Sequence, residues 1–187
     1  MALLEAPTLR RFTVADVEKM LDAGILRDHE PLELLEGELV LMSPQSPRHV
    51  RFTERISRPL EAAYGPGFYA RHHAPLAAGP DSLPEPDIAI CVGDPDRYDE
   101  RHPEGSETQL VVEISRSTAA NDQRKAAIYA RAGIPEYWRV DLVARRLEVR
   151  SQPRADGVYA LTRILGRGDR LEVPGSESTL EVSGLVP

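Results

Sequence analysis

Lysine is almost missing from this chain: of 23 basic residues in 187, only Lys19 and Lys125 are lysines and the rest are arginines. Cysteine is scarcer still, and the single Cys91 excludes an internal disulfide framework. No apolar run approaches the roughly 20 residues needed to cross a bilayer. No positively charged leader with an apolar core opens the sequence, so the cytoplasm is the expected location. Positive charge is also in deficit, with a net charge of −7 at pH 7. That balance argues against a protein that coats nucleic acid, because such binding comes from Lys and Arg releasing counterions. It leaves room for a nuclease, in which metal offsets carboxylates and basic residues gather on one face. There is no glycine-rich phosphate loop, no nucleophile elbow and no internal repeat. At this length one domain is the economical organisation: a helical extension over residues 1–30, a core over 31–152 and a C-terminal β extension over 153–187.

What is present is an alternation of helix and strand signals. Thr13 to Leu21 reads as a short helix capped by Thr13, and Leu32 to Met42 as a hairpin turning at Glu36-Gly37. Arg48 to about Tyr64 is a helix with Phe52, Ile56, Leu60 and Ala63 on one arc, His49 within that arc, and Arg48, Arg51, Arg55 and Arg58 on the adjacent one. The arginines either guide a nucleic acid or form ion pairs with Glu54 and Glu61 of the same helix. Strands are expected at Phe68 to Ala77, Asp87 to Val92 and Thr108 to Ser115. Gly93 to Ser106 reads as an exposed excursion between the last two. A helix then ends near Ala132 and is capped by Gly133, with Pro135 blocking its resumption. Glu136 to Leu142 and Arg145 to Gln152 are further strands, and Val158 to Val173 is expected to form a separate hairpin. The fold class is α/β, with a middle order of helix, three strands, helix, strand.

The scarcity of lysine makes Lys125 the residue to explain, since a desolvated ammonium is a compact charge that suits work on a phosphate or a water. Period-two alternation in Leu110-Val111-Val112-Glu113-Ile114-Ser115 puts Glu113 on a face with Val111 and Ser115. A carboxylate there is costly to bury unless a cation or several donors compensate it. Asp87 opens the preceding strand. Lys125 falls on the helix arc that carries Ile128 and Tyr129 and so faces the sheet. Two strand acids and one inward lysine can hold a hard cation and act on a phosphate. The alternatives are a half-exposed Glu113, a turn Asp87 after Pro86, and a surface pair of Lys125 with Asp122 at i, i+3. His72-His73 are expected on opposite faces of a strand, as a surface pair.

These residues, in Glu85-Pro86-Asp87-Ile88-Ala89-Ile90, Leu110 to Ser115, Lys125 through Tyr129 and Gly133-Ile134-Pro135-Glu136-Tyr137-Trp138, resemble the Uma-type restriction endonucleases of the PD-(D/E)XK, restriction-endonuclease-like superfamily. Leu32 to Val40, with Ser43-Pro44 and His49, is similar to that family's N-terminal signature. The resemblance implies a four-stranded mixed core sheet flanked by helices, to which the strand pattern adds extra hairpins at both ends. It implies Asp87, Glu113 and the Ile114 carbonyl as ligands of Mg²⁺ or Mn²⁺, and DNA as the substrate of an endonuclease. The family's usual lysine, two residues after the acid, is Ser115 here, and the pattern implies that Lys125 replaces it. Glu33 and His49 are accessory candidates; otherwise they are a surface hairpin acid and a hydrogen-bonded core histidine. Many nucleases of this fold pair to cut two strands, so a homodimer is compatible by analogy. Two rivals stand beside this reading: a non-catalytic binding protein that keeps the fold as a scaffold, favoured by Ser115 and the acidic charge, and a metal-dependent hydrolase of small phosphoesters.

Overall fold

The computed structural model describes residues 9–27, 29–115 and 120–187. Helix α1, Val14–Asp22, begins at a reciprocal cap in which Thr13 and Asp16 satisfy each other's backbone N–H groups. Of its expected apolar side only Val17 is buried. Strands β1, Leu32–Leu35, and β2, Glu38–Leu41, form the expected hairpin, and Glu36 and Gly37 both take positive φ at its two-residue turn. Helix α2 runs Pro47–Tyr64, with Ser46 accepting from His49 N–H at its start. Its apolar arc buries Phe52, Ile56 and Leu60 completely or nearly so, which stabilises the fold by about 1.5–3 kcal/mol per side chain.

The main sheet has six strands in sequence order: β3, Phe68–His72; β4, Ile88–Val92; β5, Thr108–Ser115; β6, Glu136–Asp141; β7, Arg146–Pro153; and β8, Tyr159–Leu165. Only β5 and β6 are parallel, because helix α3, Ala120–Arg131, carries the chain back between them. The first four strands are the mixed core that the sequence implied. Alternation in β5 separates two layers. Leu110, Val112 and Ile114 join the cluster under α2, and Val111 joins the cluster of Tyr129, Ile134 and Tyr137 under α3.

Three expectations need correction. The strand from Phe68 stops at His72 rather than Ala77, because His73 takes a positive φ of 46° and donates its N–H to the Pro86 carbonyl. The segment after Gly93 is not simply exposed: it makes two short 3₁₀ turns and buries Tyr98 and Gly105. The residues Val158 to Val173 are not a hairpin of their own. A turn at Arg154–Gly157 returns β8 onto β7. A second turn at Gly166–Asp169 then leads to β9, Arg170–Glu172, which pairs instead with β10, Thr179–Glu181. The turn has a packing reason, since Leu171, Val173, Val182, Leu185 and Val186 close the α2 side of the sheet.

Gly105 is where the excursion locks onto the end of α3. A Cβ there would stand 2.1 Å from the Ala132 carbonyl oxygen, whereas Gly168 has open space around it. We expect Gly105→Ala to destabilise the protein by about 1–3 kcal/mol through forced backbone displacement. Gly168→Ala should change it by no more than about 0.5 kcal/mol. Urea unfolding of the two variants checks both.

Candidate active site

Pro86 hands Asp87 into β4, and the antiparallel register Ile88↔Val112 then decides where its side chain goes. Continued by one residue, that register sets Asp87 across from Glu113, on the same face. Asp87 Oδ2 accepts the Ile114 N–H at 2.6 Å, and Oδ1 accepts from His49 Nε2 at 2.7 Å. His73 Nδ1 stands 3.3 Å from the same Oδ1 and 2.7 Å from the Gln45 amide. Burial pushes the Asp87 carboxyl up, but the hydrogen bonds from His49 and His73, the His49 charge and the Ile114 N–H outweigh it and hold the group at about 2.

Glu113 is compensated differently. Lys125 Nζ lies 2.8 Å from its Oε1, and the Tyr129 hydroxyl donates to the same oxygen at 2.7 Å. Both donors come from one face of α3, one turn apart. Among the described residues, Oε2 has no partner. Lys125 Nζ also donates to Glu33 Oε1 at 3.0 Å and to the Glu85 carbonyl at 3.2 Å. Burial pushes Glu113 up from 4.5; Lys125 opposes this, Asp87 and Glu33 add to it, and the group rests at about 7. Burial pulls Lys125 down, but Glu113 and Glu33 together raise it above its ordinary value. The ammonium is therefore held charged, while each carboxylate receives only a share of it.

The alternatives for these residues resolve accordingly. Glu113 and Asp87 are buried, Glu33 is a buried acid rather than a surface one, and Lys125 turns to the site rather than to Asp122. His49 faces the same cleft. Ser115, in the family's lysine position, donates to Asp122 Oδ2 at 2.6 Å, and the Arg139 guanidinium holds that carboxylate at 2.9 Å. None of the four stripe arginines lines the cleft; of that helix only Ser46 at its cap and His49 do. The exposed Arg48 and the half-buried Arg55 flank the Phe52 ring, and Arg55 donates to the Ser183 carbonyl; Arg51 and Arg58 are exposed and make no such ring contact. No ion pair of the stripe with Glu54 or Glu61 is formed among the described residues; Glu61 instead accepts from Ser57. Sequence reasoning missed His73, because its role depends on the strand ending at His72 instead of running on through it. It also missed Tyr129 as a partner of Glu113 and Glu85 as a wall of the cleft. Burial and Glu33 raise the Glu85 carboxyl, against Lys125 and His73.

The cleft that these groups line has a volume of 720 Å³ and is walled on one side by β2 and the loop after it. Its walls carry the acids Glu33, Glu85, Asp87, Glu113 and Asp122 and one ammonium, that of Lys125, which contacts Glu33 and Glu113. Among the described residues no three His, Cys, Asp or Glu side chains converge as ligands of one ion. Mg²⁺ needs no such set, since it takes one or two protein carboxylates and keeps several waters. The donor chemistry fits: hard oxygens, an excess of negative charge, and an unpartnered Glu113 Oε2 on the face of Asp87.

The mixed sheet with helices packed on its two faces is the α/β restriction-endonuclease-like architecture that the resemblance implied. The Uma2 family, described as "Putative restriction endonuclease", matches residues 15–183, and the chain belongs to that family. A crystal structure described as a "putative nuclease belonging to DUF820", from Anabaena variabilis, is similar in fold, with a TM-score of 0.75 over 93% of this chain and 97% of that one at 16% identity. No curated protein matches the chain. No helix among the described residues is long and apolar enough to cross a membrane.

The raised Glu113 gives a signed pH dependence to the metal-free protein. Between about 4.5 and about 7 the folded state keeps a proton that the unfolded state has released, so this group's contribution to stability is full at low pH and falls as pH rises through that window. Asp87 acts oppositely, and its contribution is lost only as pH falls from 3.8 toward about 2. In chelator, denaturation midpoints of the wild type should therefore decline from pH 5 to pH 7. Glu113→Gln should remove most of that slope.

Proposed function

We propose that this chain hydrolyses phosphodiester bonds in DNA with Mg²⁺ or Mn²⁺ as cofactor. The observation that carries the reading is Lys125: a buried ammonium reaches from α3 to Glu113, the acid set opposite Asp87, and so supplies the charge that Ser115 does not. Asp87, Glu113 through Oε2, and the Ile114 carbonyl would hold the ion. Bound there, it would supply a Lewis acid for the phosphate and an acidified water as nucleophile. The chain's own groups do the rest. His49 and His73 hold Asp87 ionised and fixed. The Tyr129 hydroxyl, kept protonated by burial and by Glu113, anchors Glu113 Oε1. Lys125 orients the water and stabilises the charge that develops on the phosphate.

Calorimetry and cleavage assays together separate this reading from its rivals. Wild type should bind Mn²⁺ and nick plasmid, and Asp87→Ala and Glu113→Gln should lose both. Lys125→Met should keep metal binding but lose about 10²–10³-fold in cleavage, as expected for a group stabilising transition-state charge. Binding of metal without cleavage by the wild type would leave a scaffold. Activity on small phosphoesters but not on plasmid would indicate a different hydrolase.

Arg51 and Arg58, exposed and engaged with no ring, are proposed phosphate contacts, while Arg48, though also exposed, and Arg55 each hold the Phe52 ring and a backbone carbonyl and brace α2. In the Asp87→Ala background, Arg51→Ala and Arg58→Ala should each weaken duplex binding similarly across sequences. Each should also reduce the slope of log affinity against log salt by about 0.9. A salt series with labelled DNA measures this.

A further inference from the structure

The six-stranded sheet ends at β8, and nothing among the described residues pairs with its outer edge. The opposite edge, β3, is shorter, half-buried and packed by α2. In β8, by contrast, all positions from Ala160 to Ile164 are exposed. An open edge presents a row of unpaired N–H and C=O groups, and proteins ordinarily guard it with charged side chains, above all lysine, with proline or with a bulge in the edge strand; the one such charge in β8 is Arg163. β8 has neither lysine nor proline, and it carries exposed apolar side chains instead, with Leu161 42% and Ile164 52% exposed and the adjoining Val158 50% exposed.

We propose that β8 pairs antiparallel with β8 of a second copy of this chain, about a two-fold axis at Thr162. The register is self-complementary. Thr162 meets Thr162 of the partner subunit, Leu161 meets Arg163 of the partner subunit, and Ala160 meets Ile164 of the partner subunit. The strand's only charge, Arg163, is thus never set against itself, as cross-strand pairing requires. The second observation is a cavity of 310 Å³ beside this edge, between α3 and β7–β8, with Ala126, Val158 and Tyr159 as its apolar wall and Gln123, Arg150 and Thr162 as its polar one. Ile164 lies on the α3 face of the sheet, as its partner Glu148 does, since Glu148 meets Arg139 there. In the two-fold arrangement each Ile164 arrives opposite Ala160, between Tyr159 and Thr162, at the mouth of the other subunit's cavity. Knob and hole belong to the same strand, which is the signature of an isologous contact. Seven residues a side is well short of the roughly 20–30 of a standard interface, so the dimer is weak and concentration-dependent, on the order of micromolar or weaker.

Neither Asp87 nor Glu113 takes part, so the dimer is read independently of nuclease activity. The test uses the full chain in a sedimentation dilution series together with cross-linking of Thr162→Cys. Paired Cα atoms at the axis are about 4.5–5.5 Å apart, within disulfide range, and the native Cys91 is buried. The expected result is reversible dimerisation and an oxidant-dependent, reductant-reversible dimer of Thr162→Cys, with none from the exposed control Glu172→Cys. Ile164→Lys should weaken self-association about tenfold or more and suppress the Thr162→Cys cross-link, with the melting temperature unchanged. Failure of Thr162→Cys to cross-link above the Glu172→Cys control overturns the proposal. So does association or cross-linking that Ile164→Lys leaves intact.

Discussion

The buried ammonium of Lys125 is the interaction on which the site depends. It lies between Glu33 on the N-terminal hairpin and Glu113 in the middle of the central sheet, and it also reaches the backbone before Asp87. Removing any one of these partners would leave a buried charge uncompensated, which costs far more than an exposed ion pair is worth. The lysine thus joins three parts of the chain that are otherwise remote in sequence. It fixes α3 and the β1–β2 hairpin against the sheet. Arg124 and Arg131 of the same helix, paired with Glu36 at the hairpin turn, secure that docking from outside.

Charge is nevertheless left over. The Lys125 ammonium and the His49 charge do not balance all the acids of the cleft, and the two central ones answer that shortage in opposite ways. Asp87 receives two imidazoles and a backbone N–H and stays ionised. Glu113 shares its lysine and is pushed toward the neutral form. A divalent cation between them would relieve both, at the cost of a proton from Glu113. Metal affinity would then rise with pH across the window in which the metal-free protein loses stability.

The placement of the acids and the lysine on their elements was legible in the sequence because it is local. Strand period two assigned the face of Glu113, and the helix arc turned Lys125 inward before any partner was known. The arginine stripe and the Glu36-Gly37 turn followed from the same kind of reading. What was not legible depends on contacts between distant segments. His73 became a partner of Asp87 because the Pro86 carbonyl captures its N–H and ends β3 early. The hydroxyl of Tyr129 was placed on the correct arc, but its acceptor is on another strand. Strand β8 joins the main sheet because the C-terminal segment is needed to cover the α2 face, and no local pattern in Val158 to Val173 specifies that.

The most direct measurement of the central claim is the anomalous difference density of crystals soaked in Mn²⁺. The account predicts a peak bounded by Asp87, Glu113 Oε2 and the Ile114 carbonyl, with Lys125 still against Glu113 Oε1 and ligand distances of roughly 2.0–2.3 Å. A fully soaked crystal with no peak there, or with Lys125 itself filling the space between the two carboxylates, would contradict it.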